Sequence, residues 1–130
     1  MIQNGTILAV VDNSGAKSAI CIKVLKGFKS KYAFSGDLIL VSIKSLRSKR
    51  RFASKVLKGE LYKALVVRTK SKLNKSIGSN DSITFLENSI ILLNKQFKFI
   101  GTRIFGSLPS SLRQSKFLKA ISLSSGTLYF

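Results

Sequence analysis

The sequence has no histidine and no tryptophan, and among its 130 residues only one cysteine, one proline and five acids. Each shortage excludes something. Without histidine there is no imidazole for proton transfer or for a metal site. Cys21 alone cannot close an intramolecular disulfide, which excludes a disulfide-stapled secreted fold. It reads as a small strand residue rather than a reactive thiol. No apolar run approaches the length of a membrane span, and Ile7 to Val11 and Ile90 to Leu93 are among the longest. No membrane partner is expected. The start, Met1-Ile2-Gln3-Asn4-Gly5, shows neither a signal-peptide core nor an Arg-rich presequence, so the folded domain is expected to begin there. The five acids lie in separate segments and form no close pair for acid–base work. Asp12 and Asp37 read as turn or strand-end residues. The segment from Gly101 to Gly106 lacks the Gly-Lys-Ser/Thr ending of a phosphate-binding loop. The expectation is a non-enzyme without cofactor or metal.

What is abundant is positive charge. Lysine and arginine number 23, so the formal charge is +18. A pI near 10.6 points to a polyanionic partner. Hydrophobic residues make up 45% of the chain, enough to bury a real core, so a disordered basic tail is excluded. The length implies one domain over residues 1–130. Lysine outnumbers arginine 17 to 6, and Leu, Ile, Phe and Ser are plentiful. AT-rich coding DNA gives this bias. With the missing presequence it favours an organelle-encoded mitochondrial protein; a plastid or bacterial cytoplasm is the alternative.

The pattern along the chain is mainly β. Short apolar or alternating runs at Thr6 to Val11, Lys17 to Leu25, Asp37 to Lys44, Leu61 to Arg68, Ser89 to Leu93 and Phe99 to Phe105 read as strands separated by turn residues. In the second, Ile20, Ile22 and Val24 share one face, and Cys21 and Lys23 the other. In the third, Ile39, Val41 and Ile43 share a face. Thr69 to Thr84 reads as a protruding hairpin turning near Gly78-Ser79-Asn80. Pro109 precedes a short helical turn over Ser110 to Arg113. Ser115 is expected to cap a second short helix through Ala120, and Ile121 to Phe130 is a tail of mixed type. A small closed barrel fits this spacing and removes exposed strand edges.

The cations cluster. No acid falls between Asp37 and Glu60, a window holding Lys44, Arg47, Lys49, Arg50, Arg51, Lys55 and Lys58. None follows Glu87, where Lys95, Lys98, Arg103, Arg113, Lys116 and Lys119 stand. Arginine binds phosphate in a fork and stacks on bases, whereas lysine acts as a point charge. Aromatics are interleaved: Phe28 and Tyr32, Phe52, Phe97 and Phe99 each adjoin basic residues. Most are expected to be packing residues, and Phe85 and Phe105 to lie in the core.

These residues also form an ordered series. Asp12-Asn13-Ser14-Gly15-Ala16 is followed by Cys21 to Leu25, Gly36-Asp37, Lys63 to Lys70, Gly101-Thr102-Arg103-Ile104-Phe105-Gly106, Leu112-Arg113 and Lys116-Phe117. The series resembles large-subunit ribosomal protein number fourteen, the universal L-fourteen family, from Met1 to about Leu123. The resemblance implies a five-stranded β-barrel with a projecting β-ribbon and short C-terminal helices at about 107–123. It implies a structural role in the large ribosomal subunit, bound to large-subunit rRNA. It further implies a bridge to small-subunit rRNA, contact with large-subunit proteins numbered three and nineteen, and a face where a silencing or assembly factor docks. Thr102, Arg103 and Lys116 match that face. The expected RNA contacts are Lys17, Lys23, Lys44, Arg47, Lys49, Arg50, Arg51, Arg68, Lys70 and Arg113. The chain departs from the family pattern at Lys72 to Asn80, at Phe85-Leu86-Glu87-Asn88, which lacks a glycine, and at Leu46 to Phe52. The alternative is a free-standing single-strand nucleic-acid binder, which needs a continuous aromatic groove.

Overall fold

The computed structural model describes residues 1–48, 54–71, 84–114 and 116–128. Five strands close a barrel: β1 (Ile7–Val10), β2 (Ala16–Val24), β3 (Leu38–Leu46), β4 (Leu61–Arg68) and β5 (Ser89–Leu93). Neighbours are antiparallel except β1 and β5, whose parallel pairing of Ala9 with Ser89 and Val10 with Ile90 closes the ring. The five strand intervals from β1 to β5 thus match the expectation to within a residue or two. The hairpin tip expected near Gly78-Ser79-Asn80, and Phe52, lie outside the described residues.

Why these segments form strands is clearest in β4 and β5. Ala64 to Val67 and Ile90 to Leu93 are unbroken apolar runs, the mark of strands buried on both faces. Ala64, Val66, Ile90 and Leu92 point into the barrel, beside Ile39, Val41 and Ile43 of β3. Leu65, Val67, Ile91 and Leu93 point outward into a second apolar cluster with Ile104, Leu108, Leu112 and Ala120. That outer cluster is covered by the C-terminal segment: β6 (Ile104–Pro109), a 3-10 turn (Ser110–Gln114), α1 (Lys119–Leu123) and β7 (Ser124–Leu128). β6 and β7 pair in parallel, Leu108 beside Thr127.

Several expectations are corrected here. In β2 the shared face of Ile20, Ile22 and Val24 is split. Cys21 stands opposite Val41 and Lys23 opposite Leu40, so Ile22 is an extra, bulged residue. The bulge lets Cys21 and Val24 both enter the core and leaves Ile22 41% exposed. The last barrel-region run is not one strand. Phe99 makes only a bridge to Leu93, and the next strand starts at Ile104, because the chain turns at Gly101 against Asp12. α1 begins at Lys119 after Leu118, with no side-chain cap hydrogen bond, and Ser115, the expected cap, lies outside the described residues. The tail is of mixed type as expected: Ile121 to Leu123 complete α1, and Ser124–Leu128 is β7.

Burial pushes the Cys21 thiol up from its ordinary range. The fold therefore favours the neutral thiol. That contribution to stability is present below the ordinary thiol range and is lost as pH climbs through the raised value. We expect Cys21 to resist maleimide in the folded protein at neutral pH and to react once urea unfolds it, which mass spectrometry reads directly. Rapid labelling of the folded chain would contradict this burial.

Candidate nucleic-acid interface

The turn after β1 organises the site. Asp12 is buried, and its carboxylate accepts hydrogen bonds from the Leu92 N–H (2.9 Å), the Ser14 N–H (3.1 Å) and the Ser14 hydroxyl. Asn13 Oδ1 accepts from the N–H groups of Thr102 (2.7 Å) and Arg103 (3.3 Å), while its Nδ2 donates to the Thr102 hydroxyl (2.8 Å). The carbonyls of Ser14 and Gly15 accept from the N–H groups of Lys55 and Arg47, both at 2.9 Å. Gly15 has φ +104°, and a Cβ there would stand 2.6 Å from Ser54 Cβ. A Cβ on Gly101 would stand 2.9 Å from both Asp12 Cβ and Asn13 Oδ1. Only glycine allows these approaches. One turn thus ties β5, the segment after β3 and the Gly101–Arg103 turn together.

Three arginines meet at Phe105. Arg47 lies 5.3 Å and Arg103 5.6 Å from its ring centroid, and Arg68 Nη2 donates to its carbonyl at 3.2 Å. Guanidinium groups at this distance are attracted by the ring face. Phe105 is therefore 36% exposed and not in the core, and Phe85 is only half-buried. Arg103, two residues before Phe105, is the clue the sequence offers. Arg47 also donates to the carbonyls of Val10 (3.0 Å) and Ala16 (3.3 Å). Arg68 is turned inward. It faces Glu87 at 3.9 Å, and its Nε is buried without a partner. Burial lowers its pKa, against the pull of Glu87. Arg68 thus joins the barrel to the C-terminal layer, with little of its side chain left for a ligand.

A groove of about 960 Å³ runs along β1 and brings Lys17, Arg47 and Lys70 together, with Glu87 at the same groove. Lys17 and Lys70 are exposed; the Lys70 N–H is anchored on Asn88 Oδ1 at 2.9 Å. Lys23, Lys44 and Arg113 are exposed on β2, β3 and the 3-10 turn, and do not line this groove. Lys49, Arg50 and Arg51 lie outside the described residues. Thr102 and Arg103 are exposed on the turn clipped by Asn13. Lys116 lines a separate hollow of about 790 Å³ with Leu38, Phe97, Lys98, Phe99, Phe117 and Lys119. Neither Thr102 nor Arg103 contributes to it.

The four described acids are engaged by the chain itself. Asp12 is buried as above, Asp37 pairs with Lys26 at 3.1 Å, Glu60 accepts from the Tyr62 hydroxyl at 2.6 Å, and Glu87 faces Arg68 and Ser89. Burial raises the Tyr62 pKa, and the bond to Glu60 raises it further. The interleaved aromatics are less buried than expected: Phe28 is 93% exposed, and Tyr32 and Phe97 are also exposed. Phe99 packs edge-on against Phe117, with centroids 6.3 Å apart. Among the described residues there is no cluster of three metal-ligating side chains, and no helix is long and apolar enough to cross a membrane.

A closed barrel whose described acids are engaged internally and most of whose described lysines face solvent defines a basic β-barrel protein of the kind that holds a polyanion. The family model described as Ribosomal protein L14p/L23e matches residues 1–128, and the chain belongs to that family. Its class is thereby that of the structural proteins of the large ribosomal subunit.

Proposed function

We propose that the chain binds large-subunit rRNA and contributes to the surface where the two ribosomal subunits meet. The groove that gathers Lys17, Arg47 and Lys70 carries this reading. Lysines there neutralise phosphates and fix position, while Arg47, held by two backbone carbonyls, supplies a charge of set orientation. Lys23, Lys44 and Arg113 extend the contact over other faces, and Lys49, Arg50 and Arg51 continue it along the chain from Ser48. The turn bearing Thr102 and Arg103 presents a rigid edge for small-subunit rRNA or a silencing factor, with Lys116 on the adjoining C-terminal layer. Proteins numbered three and nineteen are the proposed protein neighbours. The proposed compartment is the mitochondrion. A free single-strand binder is disfavoured because no aromatic lines the basic groove among the described residues.

Tagging the protein in its host, fractionating organelles and running a sucrose gradient on each fraction tests this reading. We expect co-migration with the large subunit in the mitochondrial fraction. A peak at the top of the gradient, free of ribosomal RNA, would overturn it. Co-migration in another fraction would correct the compartment alone.

A further inference from the structure

Phe97 stands where the backbone would be better served by glycine. Its φ is +62°, in the left-handed region that costs a residue with a Cβ. It occupies the last position of a hairpin turn after β5, where glycine is the usual solution. The turn is over-determined by Asn94, whose side chain accepts from the N–H groups of Gln96 and Lys98, each at 2.9 Å, and whose carbonyl accepts from the Phe97 N–H at 3.1 Å. Strain kept this firmly is commonly strain in use. Here its product is a large ring held 45% exposed.

The surroundings say what such a ring would meet. Lys63 Nζ sits 3.6 Å from the ring centroid and is itself anchored on the Lys95 carbonyl at 3.3 Å. The ring also lines the hollow that Lys98, Lys116 and Lys119 share with Phe99 and Phe117. No acid is among its described lining residues. A flat apolar surface beside three lysines and no described acid fits a nucleotide: the base takes the ring and the phosphates take the lysines.

We propose that Phe97, with Lys98, Lys116 and Lys119, holds an unpaired nucleotide of the bound RNA by stacking. This site is separate from the basic groove along β1 and deepens the RNA-binding reading, on which it rests.

The test uses the full chain, a short oligoadenylate and a short RNA duplex. Phe97→Gly removes the ring and relieves the backbone, so the fold should be at least as stable, which thermal melting checks. Its affinity for oligoadenylate should fall about fivefold or more, the lower end of what one base–aromatic stack contributes. The salt slope should not change, because no ion pair is lost, and duplex affinity should hold. Phe97→Trp should restore the single-strand affinity. Since the chain has no other tryptophan, its emission should be quenched as the base stacks. Equal oligoadenylate affinity for Phe97→Gly and the unaltered chain would overturn the stacking site, and leave RNA binding, which the duplex measures independently. A response of the Phe97→Trp emission to polyglutamate but not to oligoadenylate would overturn it in favour of an acidic protein segment. Failure of the unaltered chain to bind either RNA would sink the underlying RNA reading as well.

Discussion

Asp12→Ala is expected to cost about 3–5 kcal/mol of folding stability, because three donors lose their only charged acceptor at once. The Leu92 N–H, the Ser14 N–H and the Ser14 hydroxyl all bond this carboxylate inside the protein, where water cannot replace it. An unmet buried donor costs roughly 1–3 kcal/mol, and a small domain has only about 5–15 kcal/mol in total. Asp12→Asn should be nearly as damaging. Its amide keeps one acceptor oxygen and turns a second donor toward donors already present. Urea denaturation gives the comparison. A loss below about 1 kcal/mol for Asp12→Ala would show that the turn does not organise the barrel in the way its hydrogen bonds imply.

Replacing Lys17 and Lys70 together by alanine should weaken binding to transcribed large-subunit rRNA by about tenfold or more at physiological salt. It should also flatten the plot of log affinity against log salt by up to roughly two units, if each lysine meets one duplex phosphate. Both side chains are exposed at the β1 groove, and neither is the partner of a described acid, so the folded state should lose little. Circular dichroism checks that second point. An unchanged slope would mean that the two ammonium groups face solvent in the complex and that the groove is not the phosphate track. Arg47 is a poorer choice for this test. It holds the carbonyls of Val10 and Ala16, so its removal mixes a packing loss with a charge loss.

The same distinction separates what was legible in the residues from what was not. The strand intervals of β3, β4 and β5 could be read from apolar spacing, since a strand's burial pattern is written every second residue, or continuously when both faces are covered. The inward faces of Ile39, Val41 and Ile43 follow from that rule. Spacing failed in β2, where one bulged residue, Ile22, reverses the alternation. A bulge is decided by the partner strand, so no local pattern announces it. It failed again for Phe105, whose hydrophobicity alone argued for the core. Two guanidinium groups, Arg47 just after β3 and Arg103 of the Gly101–Arg103 turn, lie over the ring, and Arg68 of β4 holds its carbonyl. The charge of Arg68 is visible in the sequence, and its inward direction toward Glu87 is not.

By itself the sequence determined the basic character, the β class, the absence of imidazole chemistry and the ordered motif series of the family. All are properties of composition or of neighbours along the chain, and they survive any arrangement in space. The tertiary structure alone decided which charges act together. Asn13 and Thr102 meet across 89 residues, Arg47 reaches Val10 across 37, and Lys17 and Lys70 come to one groove only because β1 and β5 close the barrel. Those contacts depend on closure, on one bulge and on two glycines that let backbone and side chain approach. Such conditions are set by pairs of segments distant in sequence, where local periodicity carries no information.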